Sequence, residues 1–520
     1  MLSAALYTTQ QVRELDRVAI EDHGIPGLAL MKLAGKALFR ELLRRWPNTS
    51  KLLACCGGGN NGGDGYIAAG LACQHGLAAT AVALTEPSKL EGDAKGAYDW
   101  ALSQGVVICH SFSDLKLGDF HVIIDAMLGT GLSGDVREDY AKAIAVINSM
   151  VVSVIAADIP SGICGNTGTV LGCAVRADAT VSFIGLKQGL FTGAAPDYVG
   201  DVIFNDLQVP AAIYASVSTQ VERINYQRVK GVLKPRAKDS HKGRFGHVLV
   251  IGGDHGMGGA VAMTAEAALR TGAGMVTVAT HAEHIPHILC RTPEVMVRAV
   301  KTGDQLEELL NKASVVVIGP GLGSSPWSQQ MLWFASQSDK PMVLDADALN
   351  LLSSGDILVG SGVVAKAKRN NWVLTPHPGE ASRLLGDSIT QIQQDRFQAA
   401  AALREKYGGS VVLKGSGSII ASNIEAVEAE TKTEEGLTRW SVCTDGNPGM
   451  ATAGMGDVLS GVIGALMAQG LNVDEAAKIG VCVHSAAADV IASKRGERGL
   501  MATDVINKLP RMVNPVLNNR

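Results

Sequence analysis

Two stretches of this 520-residue chain set glycines beside amide and carboxylate side chains, a composition suited to holding a ligand. The first is Gly57-Gly58-Gly59-Asn60-Asn61-Gly62-Gly63-Asp64-Gly65, directly after the apolar run 51–56 and before a helical pattern. Its glycines let the backbone approach a ligand closely, and a helix N-terminus beyond them offers unpaired N–H groups to phosphate. A tight turn would explain the glycines alone. The paired Asn and the Asp supply oxygens that a turn does not need, and the string departs from the ordinary dinucleotide fingerprint. Two further apolar runs end similarly: 122–124 in Asp125 and the loop Gly129-Thr130-Gly131, and 151–157 in Asp158-Ile159-Pro160-Ser161-Gly162. Each Asp taken singly can be a helix cap. Asn61, Asp125, Asp158 and Ser161 at three successive strand ends instead imply a ligand beyond the carboxyl edge of a parallel sheet.

The second stretch lies in the C-terminal half. The apolar run 411–413 leads into Lys414-Gly415-Ser416-Gly417-Ser418, and Asn447 to Asp457, ending Gly454-Met455-Gly456-Asp457, precedes the apolar segment 458–473. Small residues free the first helical amides for an anion, and the helix dipole steadies the Asp457 carboxylate. A cap would explain the Asp but not the Gly-Met-Gly before it. His377, between Pro376 and Pro378 at a strand end, is placed in the cleft and not in the core. His281, His284 and His287 lack an i, i+4 pair and are interrupted by Pro286, so they are read as a solvated helix start and not a metal site.

These residues need a frame, and the hydrophobic pattern provides one. Thr8 or Thr9 can cap a helix carrying Val12, Leu15, Ala19 and Ile20, a second helix is expected over 30–43, and short apolar runs follow at 52–56, 79–84, 106–109, 122–124, 151–156 and 180–184. The rhythm lapses over 207–236 and restarts with runs at 247–251, 275–279, 315–318, 341–344, 372–374 and 410–413. Strands alternating with helical patterns predict an α/β fold of two doubly wound domains, 1–215 and 236–520, joined by a connection at 216–235. The charged stretch 424–439 is expected to be a solvated loop or hairpin tip, and 458–473 a buried helix too short to span a bilayer.

Composition agrees with small-molecule chemistry. A formal net charge of −4 with no long Lys/Arg run argues against nucleic acid, and the N-terminus has no basic segment followed by an apolar one, so neither a signal peptide nor a membrane partner is expected. Nine scattered cysteines without a CxxC pair fit reduced thiols and a cytoplasmic setting. A homo-oligomer is expected.

The strings GGGNNGGDG, DAMLGTG, DIPSG and FIGLKQGLFTG resemble the NAD(P)H-hydrate epimerase family over about the first 215 residues. The resemblance implies a Rossmann-like domain that inverts the hydroxyl-bearing C6 of hydrated NADH and NADPH. It implies a potassium ion held with Asn61, Asp125 and Ser161. Substrate contacts would come from Asn60, Asn61, Gly62, Gly63 and Asp64, from Gly129, Thr130, Gly131, Leu132, Ser133, Gly134 and Asp135, and from Asp158. Asp158 would be the acid/base, and Lys187, taken as an exposed lysine, ranks below the aspartates. The GMGD string resembles ribokinase-like enzymes, in which this Asp is the catalytic base. HVLVIGGDHGMGGA, VVVIGPGLG, VLDADALN, LTPHPGEA and VLKGSGS are similar to NAD(P)H-hydrate dehydratases. That resemblance implies ADP, with or without Mg2+, on Lys414, Gly415, Ser416, Gly417, Ser418 and Gly456. Ala260, Gly321, Gly323, His377 and the catalytic Asp457 would line the hydrate site. Two other readings are a ribokinase-type kinase with an appended nucleotide-sensing domain, which leaves Asn60 to Asp64 unexplained, and a nonenzymatic scaffold, which would not need that loop.

Overall fold

The computed structural model describes residues 2–354, 368–423 and 437–514, divided between two compact units, Met1–Glu222 and Arg223–Arg520.

In the N-terminal unit seven parallel strands form one sheet: β2 (Lys51–Cys56), β3 (Ala78–Ala83), β4 (Val107–Cys109), β5 (Val122–Ala126), β6 (Ser153–Ala157), β7 (Ala179–Phe183) and β8 (Asp201–Asn205). Their order, β4-β3-β2-β5-β6-β7-β8, runs one way from β2 and the other way from β5. Strand β2 is apolar after Lys51 because a parallel strand is covered on both faces. Leu52, Ala54 and Cys56 face the core shared with helices α1 (Thr9–Arg17), α2 (Gly27–Arg45) and α3 (Asn60–Gln74), while Leu53 and Cys55 face the helix Glu138–Ser149. A short strand, β1 (Ala5–Leu6), pairs antiparallel with the first residues of β9 (Val221–Ile224). Strand β9 and the short helix Tyr226–Val229 thus occupy the segment read as connection. Thr8 caps α1 in a capping box with Gln11, as its position predicts.

The glycine-rich string differs from the expected loop before a helix, because α3 already begins at Asn60. Several of its glycines serve packing. A Cβ at Gly62 would stand 2.0 Å from the Gly57 carbonyl oxygen, and one at Gly65 would stand 2.6 Å from Ala126. These glycines let α3 lie directly on the ends of β2 and β5.

The C-terminal unit repeats the plan. Strands β10 (His247–Ile251), β11 (Met275–Thr280), β12 (Met296–Ala299), β13 (Val315–Ile318), β14 (Met342–Leu344), β15 (Trp372–Leu374) and β16 (Ser410–Leu413) are parallel, and β17 (Ser418–Asn423) and β18 (Thr438–Cys443) add an antiparallel edge. The order β12-β11-β10-β13-β14-β15-β16-β17-β18 reverses between β10 and β13. Helices Gly258–Thr271, Met455–Ala468, Val473–Arg495 and Ala502–Val513 share one core with alternate residues of these strands. The segment 458–473 is not one helix: the first ends at Ala468, Gly470 turns at φ +98°, and Asn472 caps the next. That next helix, Val473–Arg495, is long and apolar enough to cross a membrane by length and composition, but 67% of the window that qualifies is buried inside the unit. Of the charged stretch 424–439, residues 424–436 lie outside the described residues, while Thr438 and Arg439 open β18.

Candidate active sites

The reversal between β2 and β5 leaves a crevice at the carboxyl edge of the N-terminal sheet. A cavity of about 600 Å³ occupies it. Asn60, Asn61 and Asp64 of α3, Asp158 and most of the 129–135 loop line it, whereas Gly62, Gly63 and Gly134 do not. From α1 come Arg13 and Asp16, two residues that reading for glycine loops and strand ends does not find. Their only local signal is helical spacing with Val12 and Ile20, which also line the cavity.

Asp158 has φ +66°, a conformation that residues other than glycine rarely adopt and that is held where the surroundings enforce it. Its Oδ1 accepts a hydrogen bond from the Phe183 amide at 3.2 Å and another from Lys187 Nζ. Lys187 is fully buried, which corrects its reading as an exposed lysine. Nζ also donates to Ser182 Oγ and to the Phe183 carbonyl, both at 3.2 Å. The burial is nonlocal in origin: Tyr7, following β1, bonds the Leu186 carbonyl at 2.8 Å and accepts from the Gln188 amide at 2.9 Å, covering the lysine between them. Burial pushes Asp16 up to about 6, with Asp158 adding and Lys187 opposing. Burial also holds Asp64 well above the usual carboxylate range, reinforced by Asp158 and Asp16.

Asp125 and Ser161 are fully buried and do not line the cavity. Asp125 Oδ2 accepts from the Ser161 amide at 2.7 Å, and Oδ1 from Ser161 Oγ at 2.6 Å and the Met127 amide at 3.3 Å. Burial nevertheless pushes this carboxyl up to about 6, against the hydrogen bonds from Ser161 and Met127. Asn61 sits against Gly129, whose added Cβ would lie 3.2 Å from the Asn61 Cβ. Both polar atoms of the Asn61 amide are buried with no partner among the described residues. An amide oxygen without a partner and a buried carboxylate are ligands of the kind a hard cation takes.

In the C-terminal unit, backbone bonds tie the strand-end loops together: Asp254 to Gly321 at 2.7 Å, Asp345 to Ile318 at 3.1 Å and Lys414 to Pro376 at 2.9 Å. Lys414 Nζ donates to Asp345 Oδ1 at 2.8 Å and lies 3.8 Å from Glu380 Oε2, while Ser460 Oγ donates to Asp345 Oδ2 at 2.7 Å. Burial works against the lysine's charge, but Asp345 and Glu380 outweigh it and hold its pKa up. A Cβ on Gly456 would stand 3.2 Å from Lys414 Nζ, so the helix Met455–Ala468 begins directly on this pair. Asp457, in its first turn, is pushed up to about 7 by burial and by Asp345 and Asp347, against Lys414. Asp345 and Glu380 stand in motifs noted above, but only the alignment of β14, β15 and β16 brings them to the lysine.

The loop after Lys414 has its own support. Gly415 has φ +143°, and its Cβ position lies 2.3 Å from the guanidinium of Arg396. Arg396 is 1% exposed and its Nη2 donates to the carbonyls of Leu413, Lys414 and Gly417 at 3.2, 3.4 and 3.4 Å. Gly415 and Ser416 are thereby left exposed on a fixed rim. His377 caps the helix Pro378–Leu385 through Nδ1, and its side chain is 51% exposed. Burial, followed by Lys414, lowers its pKa. Ala260 and Gly321 meet, since a Cβ on Gly321 would lie 3.1 Å from that of Ala260. The Gly323 amide donates to Asp347 Oδ2 at 2.8 Å.

The reading of His281, His284 and His287 as a solvated helix start is corrected in part. His287 is exposed, but His284 is 6% exposed and its Nε2 lies 3.2 Å from the Asp254 carbonyl oxygen. His281 Nε2 lies 3.0 Å from Asp254 Oδ1, and its ring stacks between His255 and Trp327, 4.2 Å from each. The partners come from β10 and later loops, so spacing within 281–287 carried no sign of them.

Residues 248–511 match the family model described as NAD(P)H-hydrate dehydratase, and residues 27–189 match that of the YjeF-related protein N-terminus. A bifunctional NAD(P)H-hydrate repair enzyme of Coxiella burnetii is 47% identical over 510 residues, covering 98% of this chain and 99% of its own. The enzyme of the same description from Escherichia coli is 41% identical over 515 residues, covering 99% and 95%. A crystal structure of an ADP/ATP-dependent NAD(P)H-hydrate dehydratase from Bacillus subtilis is 26% identical, covers 55% of this chain and 95% of that one, and has a TM-score of 0.46.

Proposed function

This chain belongs to the family of bifunctional NAD(P)H-hydrate repair enzymes, and we propose that its N-terminal unit epimerises the hydrates at C6 while its C-terminal unit dehydrates the S form back to NADH or NADPH. In the N-terminal unit, the observation that carries the assignment is Asp158, strained and held by buried Lys187 at the edge of the cavity. C6 is bonded to the ring nitrogen, so loss of its hydroxyl leaves an iminium to which water can return on either face. Asp158 transfers the proton at that oxygen, and Lys187 fixes its orientation. Asn60, Asp64 and the lining residues of the 129–135 loop position the substrate, with Gly62, Gly63 and Gly134 shaping the backbone. Potassium would be held by Asn61, Asp125 and Ser161, a reading that the unpartnered amide and the buried carboxylate support.

Hydroxide is a poor leaving group, and a nucleotide such as ADP, with or without Mg2+, would supply the phosphoryl chemistry that improves it. The rim Lys414, Gly415, Ser416, Gly417 and Ser418, clamped by Arg396, and the helix start at Gly456 would receive the phosphates. Asp457, titrating near neutrality, takes the proton of the substrate hydroxyl, and Ala260, Gly321, Gly323 and His377 line the hydrate pocket. A kinase with a sensor domain would leave the Asp158–Lys187 pair without a task. The partners are small molecules; a homo-oligomer and a cytoplasmic setting, which suits nine free cysteines, complete the reading.

The test is to incubate the chain with both hydrate epimers and ADP or ATP and follow reduced-nicotinamide absorbance. Complete conversion is expected. Conversion that stops when the S form is exhausted would refute the epimerase assignment, and none at all would refute the dehydratase assignment.

A further inference from the structure

The cavity of the N-terminal unit holds more carboxyl groups than a single acid/base requires. Asp158 follows strand β6 and Asp64 sits in the opening turns of α3 on the same sheet edge, whereas Asp16 enters from α1, which contributes a separate wall. Helix α1 is fixed in place. Thr8 caps it, Tyr7 is bonded to residues 186 and 188, and Arg13 Nη2 reaches the Thr130 carbonyl at 2.6 Å. Asp16 lies one turn beyond Arg13 and lines the same cavity.

Epimerisation needs proton transfer on both faces of the ring. The hydroxyl leaves one face as water after receiving a proton, and water adds to the other face and loses one. A carboxyl group seated on one face does not serve the other without crossing the ring plane. Resting on the epimerase reading, we propose that Asp16 is the second proton-transfer residue, acting from the helix wall opposite in role to Asp158 on the strand wall.

The step balances. The protonated carboxyl of one residue gives its proton to the C6 hydroxyl as the C6–O bond breaks, releasing water and leaving the iminium between C6 and the ring nitrogen. A water oxygen then bonds C6 on the other face and gives a proton to the opposing carboxylate. One carboxyl has lost a proton and the other has gained one, so the product state is the starting state for the reverse conversion. The surroundings suit this exchange: Lys187 is paired with Asp158, and burial favours the protonated form of Asp16. The groups that face Asp16 electrostatically are Lys187, Asp158, Asp64 and Tyr214.

The experiment uses the full chain and a single purified epimer, measuring the approach to the epimer mixture without nucleotide. Asp16→Asn is expected to lower the rate constant in both directions by roughly 10²–10³ with KM within about threefold, and to abolish a limb of the pH profile near 6. Asp16→Glu is expected to recover part of the rate and to restore a limb, an outcome that a merely structural Asp16 would not produce. ADP-dependent dehydration of the S form stays unchanged in both variants. An Asp16→Asn rate within about fivefold of wild type overturns the proposal, as does a limb that survives in Asp16→Asn but vanishes in Asp64→Asn. Should Asp16→Asn fail to fold, a Glu variant that neither keeps part of the rate nor shows a limb overturns it. A wild-type chain that does not epimerise at all refutes the underlying reading, a result separable from any difference among variants.

Discussion

Replacing Asp457 by Asn separates two consequences of one buried carboxyl. Its folded-state titration near 7 lies above the ordinary 3.8, chiefly through burial. The folded chain therefore binds this proton more tightly than the unfolded chain, and the sign follows: stability falls as pH rises from about 4 to about 7 and levels off above. The difference of about three pH units corresponds to on the order of 4 kcal/mol at most. Asn cannot ionise, so the variant escapes this loss. It is expected to exceed wild type by about 2–4 kcal/mol at about pH 8 and to match it closely near pH 4. Turnover moves the other way. Wild-type dehydration should rise about tenfold per pH unit below about 7 and flatten above, as the carboxylate forms. The variant should lose that limb and roughly 10²–10⁴ in rate, or about 3–5 kcal/mol of barrier. ADP affinity should change little, because backbone amides hold the phosphates. Calorimetric unfolding at two pH values, single-epimer turnover across pH and titration calorimetry with ADP give the three readings. Near-normal turnover would reduce Asp457 to a helix cap, lost ADP binding would make its role structural, and an unchanged pH dependence of stability would refute the burial argument.

Three further substitutions test other parts of the two sites. Asn61→Ala removes an amide with no protein partner, so it should abolish potassium dependence of epimerisation while leaving the melting temperature within about 2 °C; a large loss of stability would contradict the orphaned amide. Lys187→Met leaves Asp158 facing an apolar side chain and should cost about 3–5 kcal/mol of stability, most of it regained when Asp158→Asn is added. Chemical denaturation of the single and double variants checks this, and no recovery in the pair would show that the ion pair is not what the lysine supplies. Arg396→Met frees the carbonyls of the 414–417 loop and should raise the ADP Kd about tenfold with kcat at saturating ADP within about threefold; unchanged ADP binding would detach that loop from the nucleotide.

The parallel strands were the most legible part of the fold. Runs such as 247–251, 315–318 and 410–413 coincide with β10, β13 and β16, because a strand covered on both faces has no polar position to blur its limits. Strands β8 and β12 went unseen for the opposite reason, since edge strands half open to solvent carry Asp201, Asn205 and Arg298 among their apolar residues. The strand-end aspartates were legible as a set, because doubly wound topology brings consecutive strand ends together. Lys187 and Asp16 were not. A lysine in a loop and an aspartate among the polar residues of α1 look solvated until β1 and Tyr7 close over the 186–188 turn. The same holds for Asp345 and Glu380, whose meeting with Lys414 depends on three strands far apart in sequence.

The pairing of β1 with β9 has a consequence for how the N-terminal unit is made. Ala5 and Leu6 find their strand partners in Glu222 and Val221, and the same end is fastened by Gln11 Nε2 to the Ser218 carbonyl at 2.9 Å and by Thr219 Oγ1 to the Leu6 carbonyl. The helix that brings Arg13 and Asp16 to the cavity is thus anchored by the last residues of its unit to be synthesised. At translation rates of about 5–20 residues per second, roughly 10–45 s separate the first strand's appearance from that of its partner. From the point where Asn205 completes β8 until Val221 emerges, the seven-stranded sheet has all its strands, yet one wall of the crevice lacks its clasp. A nascent chain arrested just short of Val221 would present an intact sheet with an incompletely fastened active site, so the clasp is a checkpoint on completion of the whole unit.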